Sequence, residues 1–238
     1  MRKLYFGNLI AVAIILTVII LLWLMQDQAG RNRYVPSPRD GEGIVVVRTQ
    51  KDAYHVLKSL QVRGAIAISL SKYFNLLYWV PENLAKSTPF PVEVFDVRTE
   101  YERGLDSHNW LFIASRTGLV RQVWTVLSPE ELQRLSRDLD ADYGLRSGAD
   151  GYRGFHYDLP RRVTTMERLP RPDGPHVVVV DASYFQGGVE PAETARQLLA
   201  RLADKPFLIV VSSLDEAELT WQMRRNLALF ITAWQERG

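Results

Sequence analysis

The stretch "HVVVV", His176–Val180, decides the fold class of this chain. Its four consecutive valines leave no polar position that could face water, so both faces of this strand have to be buried. The run "FLIVV", Phe207–Val211, has the same character. Continuous β-branched runs of this length are typical of inner strands in a parallel sheet with helices on both faces. The two runs therefore predict an α/β domain.

Shorter apolar runs upstream alternate with segments of helical periodicity. We predict strands at Gly43–Val47, Gly64–Leu70, Val92–Val97 and Leu119–Leu127. Strand-helix alternation implies a mostly parallel sheet with right-handed crossovers. The sequence thus predicts an α/β domain over residues 44–238, with a mostly parallel sheet flanked by helices.

The predicted helices carry signals of their own. "SPEEL" places Ser128 at the N-cap, Pro129 at the first helical position and Glu131 where it would close a capping box. Two later segments have apolar stripes at helical spacing, for which we favour core packing over a cofactor site. The stripes are Ala195, Leu198, Leu199 and Leu202, and then Leu219, Met223, Leu227, Phe230 and Trp234.

The N-terminal segment Leu4–Met25 has only Asn8 and Thr17 as polar interruptions. A run of about 20 apolar residues crosses about 30 Å of hydrocarbon as a helix. A cleaved signal peptide is the alternative, but its apolar region is about 7–15 residues long and ends at small residues. We therefore predict a single-pass transmembrane helix, an uncleaved signal-anchor, over residues 1–25.

Residues 26–43 are rich in proline, glycine and charge, which predicts a flexible linker spanning roughly 25 Å. Lysines and arginines alone give the anchor no preferred orientation, because Arg2 and Lys3 are balanced by the arginines that follow it. The short tail and the net charge favour an N-terminus inside. The domain is then expected to be extracytoplasmic, and periplasmic if the chain is bacterial.

Composition excludes several classes of function. The chain has no cysteine, so it has neither disulfides nor a thiol nucleophile. All 27 acidic residues and all but two of the 29 lysines and arginines lie beyond Met25, so the part after the anchor is formally neutral. A nucleic-acid-binding domain needs a strong basic excess. We predict no nucleic-acid partner.

Polar residues follow three of the predicted strands, at the strand ends where ligands gather in α/β sheets. They are Asp96, Arg98 and Glu100, then Asp181 and Ser183, and finally Ser212, Ser213 and Asp215.

Four segments around these positions resemble the arginase/agmatinase-like superfamily, and in particular a poorly characterised arginase-like branch of it. The segments are "VFDVRTE" (Val94–Glu100), "SHNWLFIASRTGLVRQVWTV" (Ser107–Val126), "VVVDASYF" (Val178–Phe185) and "FLIVVSSLDEAELT" (Phe207–Thr220), in the order of the family. The resemblance implies an arginase-like three-layer fold. It also implies a two-metal centre, usually of manganese, whose hydroxide attacks a guanidinium or amide carbon.

The departures from that family bear on function. Asp96 and Asp181 fall on ligand positions, but Arg98 replaces a histidine, Glu100 an aspartate, and Ser183 a carboxylate. A guanidinium stays protonated and has no acceptor, so beside a divalent cation it would be repelled. The resemblance therefore implies a lost metal site. We expect Arg98 to neutralise Asp96 or Asp181 through paired hydrogen bonds.

His108, in "LDSHNWL" (Leu105–Leu111), lies near this site in the sequence. With Asp106 it could act as a ligand or general base, since a histidine beside carboxylates titrates near neutral pH. It could equally be an early residue of a helix capped by Asp106 or Ser107, which we favour.

The segment Tyr143–Gly174 is rich in glycine and charge and predicts a long irregular loop. Tyr152, Phe155, His156 and Tyr157 are candidates for a recognition surface, and local packing is the alternative. Within this segment the basic run Leu159–Pro172 predicts a solvated loop.

The sequence therefore favours a membrane-anchored, non-catalytic domain of arginase-like fold, a pseudoenzyme without a cofactor. It would bind a small molecule or protein partner in a degenerate cleft formed by Asp96, Arg98, Glu100, His108, Asp181 and Ser183. One alternative is a hydrolase of carbon-nitrogen bonds with one manganese or zinc ion held by Asp96, Glu100, Asp181 and His108. Another is an anchored structural or assembly factor.

Overall fold

The computed structural model describes residues 43–72, 105–156, 159–186, 188–202, 207–211 and 220–236. The predicted anchor, residues 26–42 of the predicted linker, and the strand-end residues Asp96, Arg98 and Glu100 lie outside the described residues. Within those ranges, no helix combines the length and the apolar character that crossing a bilayer requires.

The described strands form one sheet. They are β1 Ile44–Val47, β2 Ala65–Leu70, β3 Val120–Leu127, β4 Arg146–Gly148, β5 Gly151–His156, β6 Leu159–Thr165, β7 His176–Asp181 and β8 Phe207–Val211, in the spatial order β1-β8-β7-β2-β3-β6-β5-β4. Neighbours from β1 to β6 in this order are parallel, whereas β5 is antiparallel to β6 and β4 to β5. The predicted mostly parallel sheet is confirmed.

Helices cover both faces of the sheet. They are α1 Gln50–Ser59, α2 Trp110–Arg116, α3 Pro129–Ala141, α4 Pro191–Arg201 and α5 Trp221–Glu236. α1 and α2 pack on the face that carries Val123 and Val177, and α3 packs on the same face against Leu127. α4 and α5 pack on the opposite face against Ile68 and Val178. We call these the first and second faces of the sheet.

β7 shows why a continuous apolar run becomes an inner strand. All six of its residues are buried, because helices cover both faces of the sheet at this strand. At the sheet edge the requirement weakens, and Val46 on β1 is mostly exposed. The valine run in His176–Asp181 provides the apolar side chains that a strand buried on both faces requires.

The predicted N-cap at Ser128 is confirmed, but among the described residues the Glu131 side chain does not close the predicted capping box. The Ser128 hydroxyl accepts a hydrogen bond from the Glu131 N–H at 3.2 Å, and Pro129 opens α3. The Glu131 carboxylate accepts a hydrogen bond from Nε of Arg134 at 2.7 Å. On α5 the stripe is buried at Met223, Leu227, Phe230 and Trp234, while Leu219 lies outside the described residues.

The prediction of an irregular loop over Tyr143–Gly174 is wrong, because the segment contains β4, β5 and β6. Two of its glycines, Gly151 and Gly154, allow close backbone approach inside the sheet. A Cβ atom at Gly154 would lie 2.9 Å from the Gly144 carbonyl oxygen, and one at Gly151 would overlap the Val163 carbonyl oxygen. Glycine is the residue that permits such contacts.

The prediction of a solvated loop over Leu159–Pro172 is wrong for its first half. Leu159–Thr165 is β6, paired on both sides, and Arg161 in its centre is buried. Met166–Arg168 forms a short 3-10 helix. Charged residues were misleading here because they do not exclude a strand, and pairing on both sides places Arg161 inside the sheet.

Candidate functional site

The sheet has a topological switch point between β2 and β7. From β7 the chain continues through α4, on the second face, to β8 on one side. From β2 it continues to α2, on the first face, and to β3 on the other side. Neighbouring strands whose connections leave in opposite directions open a crevice at their carboxyl ends, where α/β proteins bind ligands.

Asp181 ends β7 at this switch point and is only 2 % exposed. Its Oδ2 accepts a hydrogen bond from Nε2 of Gln50 at 2.8 Å, and its Oδ1 accepts one from the Ser183 N–H at 2.7 Å. Both carboxylate oxygens therefore bind donors of the protein itself. These contacts orient the carboxylate and hold it in place.

Gln50 reaches Asp181 because of a capping box at the start of α1. The Thr49 N–H donates to Oδ2 of Asp52 at 2.9 Å, and the Asp52 N–H donates to the Thr49 hydroxyl at 3.4 Å. This cap starts the helix directly after β1, so Gln50 becomes its first residue at the carboxyl end of the sheet.

Ser183 connects the two strands at the switch point. It lies in the short 3-10 helix Ala182–Phe185 after β7, and its hydroxyl accepts a hydrogen bond from the Lys72 N–H at 3.3 Å. Lys72 follows β2 by two residues, and Ser71 between them is fully buried. The polar groups at this end of β2 and β7 are thus a carboxylate, an amide and hydroxyl groups, all buried.

Two buried oxygens near these strand ends have no hydrogen-bond partner within the described part of the chain. They are Oε1 of Gln50 and the hydroxyl of Thr125, a β3 residue in register with Ser69 of β2. An unsatisfied buried polar atom costs about 1–3 kcal/mol. A molecule bound at this end of the sheet could donate hydrogen bonds to both oxygens.

Of the residues predicted from sequence, Asp181 and Ser183 are brought together. Sequence reasoning missed Gln50 and Lys72, although a polar residue within three positions of a strand end was a usable signal for each. Asp96, Arg98 and Glu100 lie outside the described residues, so the pairing of Arg98 with Asp181 stays a prediction. The geometry described for this crevice is that of Gln50, Lys72, Asp181 and Ser183.

His108 lies in the turn that precedes α2. Oδ1 of Asp106 accepts hydrogen bonds from the N–H groups of His108 and Asn109, at 2.7 and 2.9 Å. Asp106 therefore caps the turn before α2 and not the helix itself, whose N-cap residue is Asn109. The helix itself starts at Trp110. The His108 side chain is 64 % exposed, in contrast to buried Asp181. Among the described residues, no three histidine, aspartate or glutamate side chains are grouped so that they could hold a metal ion.

The candidate recognition surface is divided by the alternation of β5. Phe155 is 69 % exposed on the second face. Tyr152 and His156 point to the first face and are half-buried, and the His156 ring meets the Tyr143 ring edge-on at 5.5 Å. Tyr157 lies outside the described residues. The prediction of one recognition surface formed by all these aromatic side chains is therefore wrong. Among those described, Phe155 is the exposed side chain.

His156 lies on the same sheet face as the buried guanidinium of Arg161. Burial lowers the pKa of His156 from 6.5 to about 4, and the charge of Arg161 adds to the effect. Burial also lowers the pKa of Arg161 itself to about 10. The imidazole is therefore neutral in the folded protein at pH 7.

This shift predicts that the fold loses stability in acid. The unfolded chain binds a proton at His156 once the pH falls below about 6.5, but the folded chain only near pH 4. Stability attributable to this group therefore decreases as the pH falls through that window. We expect a loss of about 1–2 kcal/mol after allowance for partial exposure.

Urea denaturation at several pH values between 7.5 and 4 would measure this loss. We expect His156→Gln to show a smaller decrease in stability over this range than the wild type. His55→Gln, an exposed histidine on α1, should keep the wild-type dependence. Identical pH profiles for wild type and His156→Gln would contradict the prediction.

Comparison of the sequence with models of known families and with curated proteins found no match.

Proposed function

We propose that this chain is a membrane-anchored, non-catalytic domain of arginase-like fold that binds a small molecule or a protein partner at the crevice between β2 and β7. The observation that supports this most is the hydrogen bonding of Asp181, whose two oxygens accept from Gln50 and Ser183. A carboxylate held by these two hydrogen bonds has a fixed orientation and can form part of a preorganised polar binding site. Oε1 of Gln50 adds a buried acceptor that a ligand could use.

Ser183 supports the non-catalytic interpretation. At the position where the resemblance implies a second carboxylate, the chain has a hydroxyl that accepts a hydrogen bond from the Lys72 N–H. A neutral hydroxyl is a poor ligand for manganese or zinc in comparison with a carboxylate. With Arg98 at the expected histidine position, two of the implied ligands are replaced.

Metal binding tests the proposal directly. The purified full chain in neutral detergent, mixed with manganese or zinc, should bind no stoichiometric metal, and its melting temperature should not change. A specific ion at about 100 times its Kd would stabilise the fold by about 2.7 kcal/mol, which is easily detected. Stoichiometric binding that Asp181→Ala abolishes would overturn the proposal in favour of a metal-dependent hydrolase.

Arg98→His is the companion variant. If the site lacks chiefly that ligand, the substitution should raise the affinity for manganese, because it removes a permanent positive charge and adds a neutral donor. The double variant Arg98→His with Asp181→Ala is its control and should lose the gain. Equal metal binding by Arg98→His and the double variant would argue against Arg98 occupying the cation position.

A further inference from the structure

Three arginines lie side by side across the antiparallel end of the sheet. Arg146 of β4 is opposite Arg153 of β5, and Arg153 is opposite Arg162 of β6. Arg162 is in turn in register with Trp124 of β3, a residue of the second face. Residues directly opposite each other in a sheet point to the same face. The three side chains therefore form one row on the second face, which we call the arginine row.

Without a bound anion, this arrangement lowers the stability of the folded protein. Like charges directly opposite each other destabilise a strand pair. Asp150 is the carboxylate that meets the row, accepting a hydrogen bond from Arg162 at 3.3 Å. In the described part of the chain, no carboxylate lies within ion-pair distance of Arg146 or Arg153. One carboxylate for three guanidinium groups leaves a local excess of positive charge.

Arg162 is fixed in its position. Its guanidinium carbon lies 4.9 Å from the centre of the Trp124 ring, a cation-π contact. Its Nε is buried and has no hydrogen-bond partner among the described residues. Arg146 and Arg153 are exposed, so their guanidinium groups can turn toward a ligand beside this fixed one. The row thus has one preorganised and two adaptable donors.

A small cavity adjoins the row. It has a volume of about 70 Å³ and is lined by Tyr152, Arg153, Arg162 and the β4–β5 turn of residues 148–151, which includes the Asp150 carboxylate. Since roughly 10–15 Å³ of such space is enough for one water molecule, the cavity has room for a group of several heavy atoms. That is the size of one phosphoryl group.

We propose that the arginine row binds a phosphate group. Guanidinium forks match phosphate oxygens with paired hydrogen bonds, and a dianion would offset the repulsion within the row. Phe155, two residues after Arg153 on the same face, gives the organic part of such a ligand an apolar contact. The phosphate could come from a soluble phosphate ester or from a phospholipid headgroup.

Titration of inorganic phosphate into the full chain in neutral detergent tests the proposal by calorimetry. The row variant Arg146→Gln/Arg153→Gln should bind phosphate at least about 10-fold more weakly, because each guanidinium contributes charge-assisted hydrogen bonds. Both side chains are exposed, so the variant should fold. The control Arg137→Gln/Arg224→Gln removes the same charge from exposed positions on α3 and α5 and should bind like the wild type.

Anionic phospholipid in the micelles distinguishes the two sources. If the row binds headgroups, the backbone amides of β4 and β5 in the wild type should exchange hydrogen more slowly in mixed micelles than in neutral ones. In the row variant the exchange rates should be the same in both. If it takes soluble phosphate alone, calorimetry shows binding and the lipid has no effect on exchange. Should the row variant match the wild type in both experiments, the proposal is wrong, and the arginines serve only to keep the sheet edge from pairing.

Discussion

Replacing Trp234 with alanine is expected to lower the free energy of unfolding by about 3–5 kcal/mol. Trp234 is fully buried near the end of α5 and stacks on Phe230, with ring centres 5.8 Å apart. Phe230 in turn meets Phe185, two residues after Ser183, with ring centres 5.5 Å apart. Loss of the indole would leave a cavity between α5 and the sheet. Urea denaturation followed by circular dichroism measures the change.

Trp221 offers a matched control on the same helix. It is 71 % exposed, and its ring meets the Arg225 guanidinium at 5.5 Å. Trp221→Ala should therefore change stability by less than about 1 kcal/mol. Trp234→Phe should cost less than Trp234→Ala, because it keeps a ring and removes a buried N–H that has no partner among the described residues. Equal losses for Trp234→Ala and Trp221→Ala would show that α5 does not pack as described.

Gly151→Ala is expected to destabilise the fold by about 2–4 kcal/mol. Gly151 begins β5 with φ +108°, a backbone conformation that residues with a side chain rarely adopt. The added Cβ would also overlap the carbonyl oxygen of Val163 on β6. The strand pair would have to separate or distort. Urea denaturation of the purified variant tests this.

Gly148→Ala is the control in the same hairpin. A Cβ atom there would meet the Gly151 carbonyl oxygen at 3.7 Å, an ordinary contact. The stability should change by less than about 1 kcal/mol. If Gly151→Ala were as stable as Gly148→Ala, the close pairing of β5 with β6 would be wrong. That pairing aligns Arg153 with Arg162, so the result also bears on the arginine row.

Local sequence patterns predicted the central part of the fold well. β7 and β8 were recognised because strands covered on both faces must be apolar at every position, which His176–Val180 and Phe207–Val211 show. α3 was recognised at its first residue, because the cap at Ser128 is formed by residues three apart. Features that depend on residues only a few positions apart can be recognised from the sequence alone.

The antiparallel end of the sheet was not predicted, for a physical reason. β4 and β5 lie at and beside the sheet edge, where one face meets solvent, so they need no apolar run. Their glycines look like loop residues, whereas Gly151 and Gly154 are required by the approach of other backbone segments. These steric requirements depend on which backbone segment lies beside the glycine in the folded sheet. They therefore leave no pattern in the sequence around the glycine.

The amino-acid sequence by itself determined the α/β class, the inner strands and the caps, since each of these depends on interactions over a few residues. It also marked Asp181 and Ser183 as strand-end residues. Tertiary structure alone decided that β7 lies between β8 and β2, which brings Gln50 and Lys72 to these two residues from more than 100 positions away. It also decided that Arg146, Arg153 and Arg162 form one row. Both outcomes depend on strand order and register, which arise from packing the whole sheet and are encoded in no single segment.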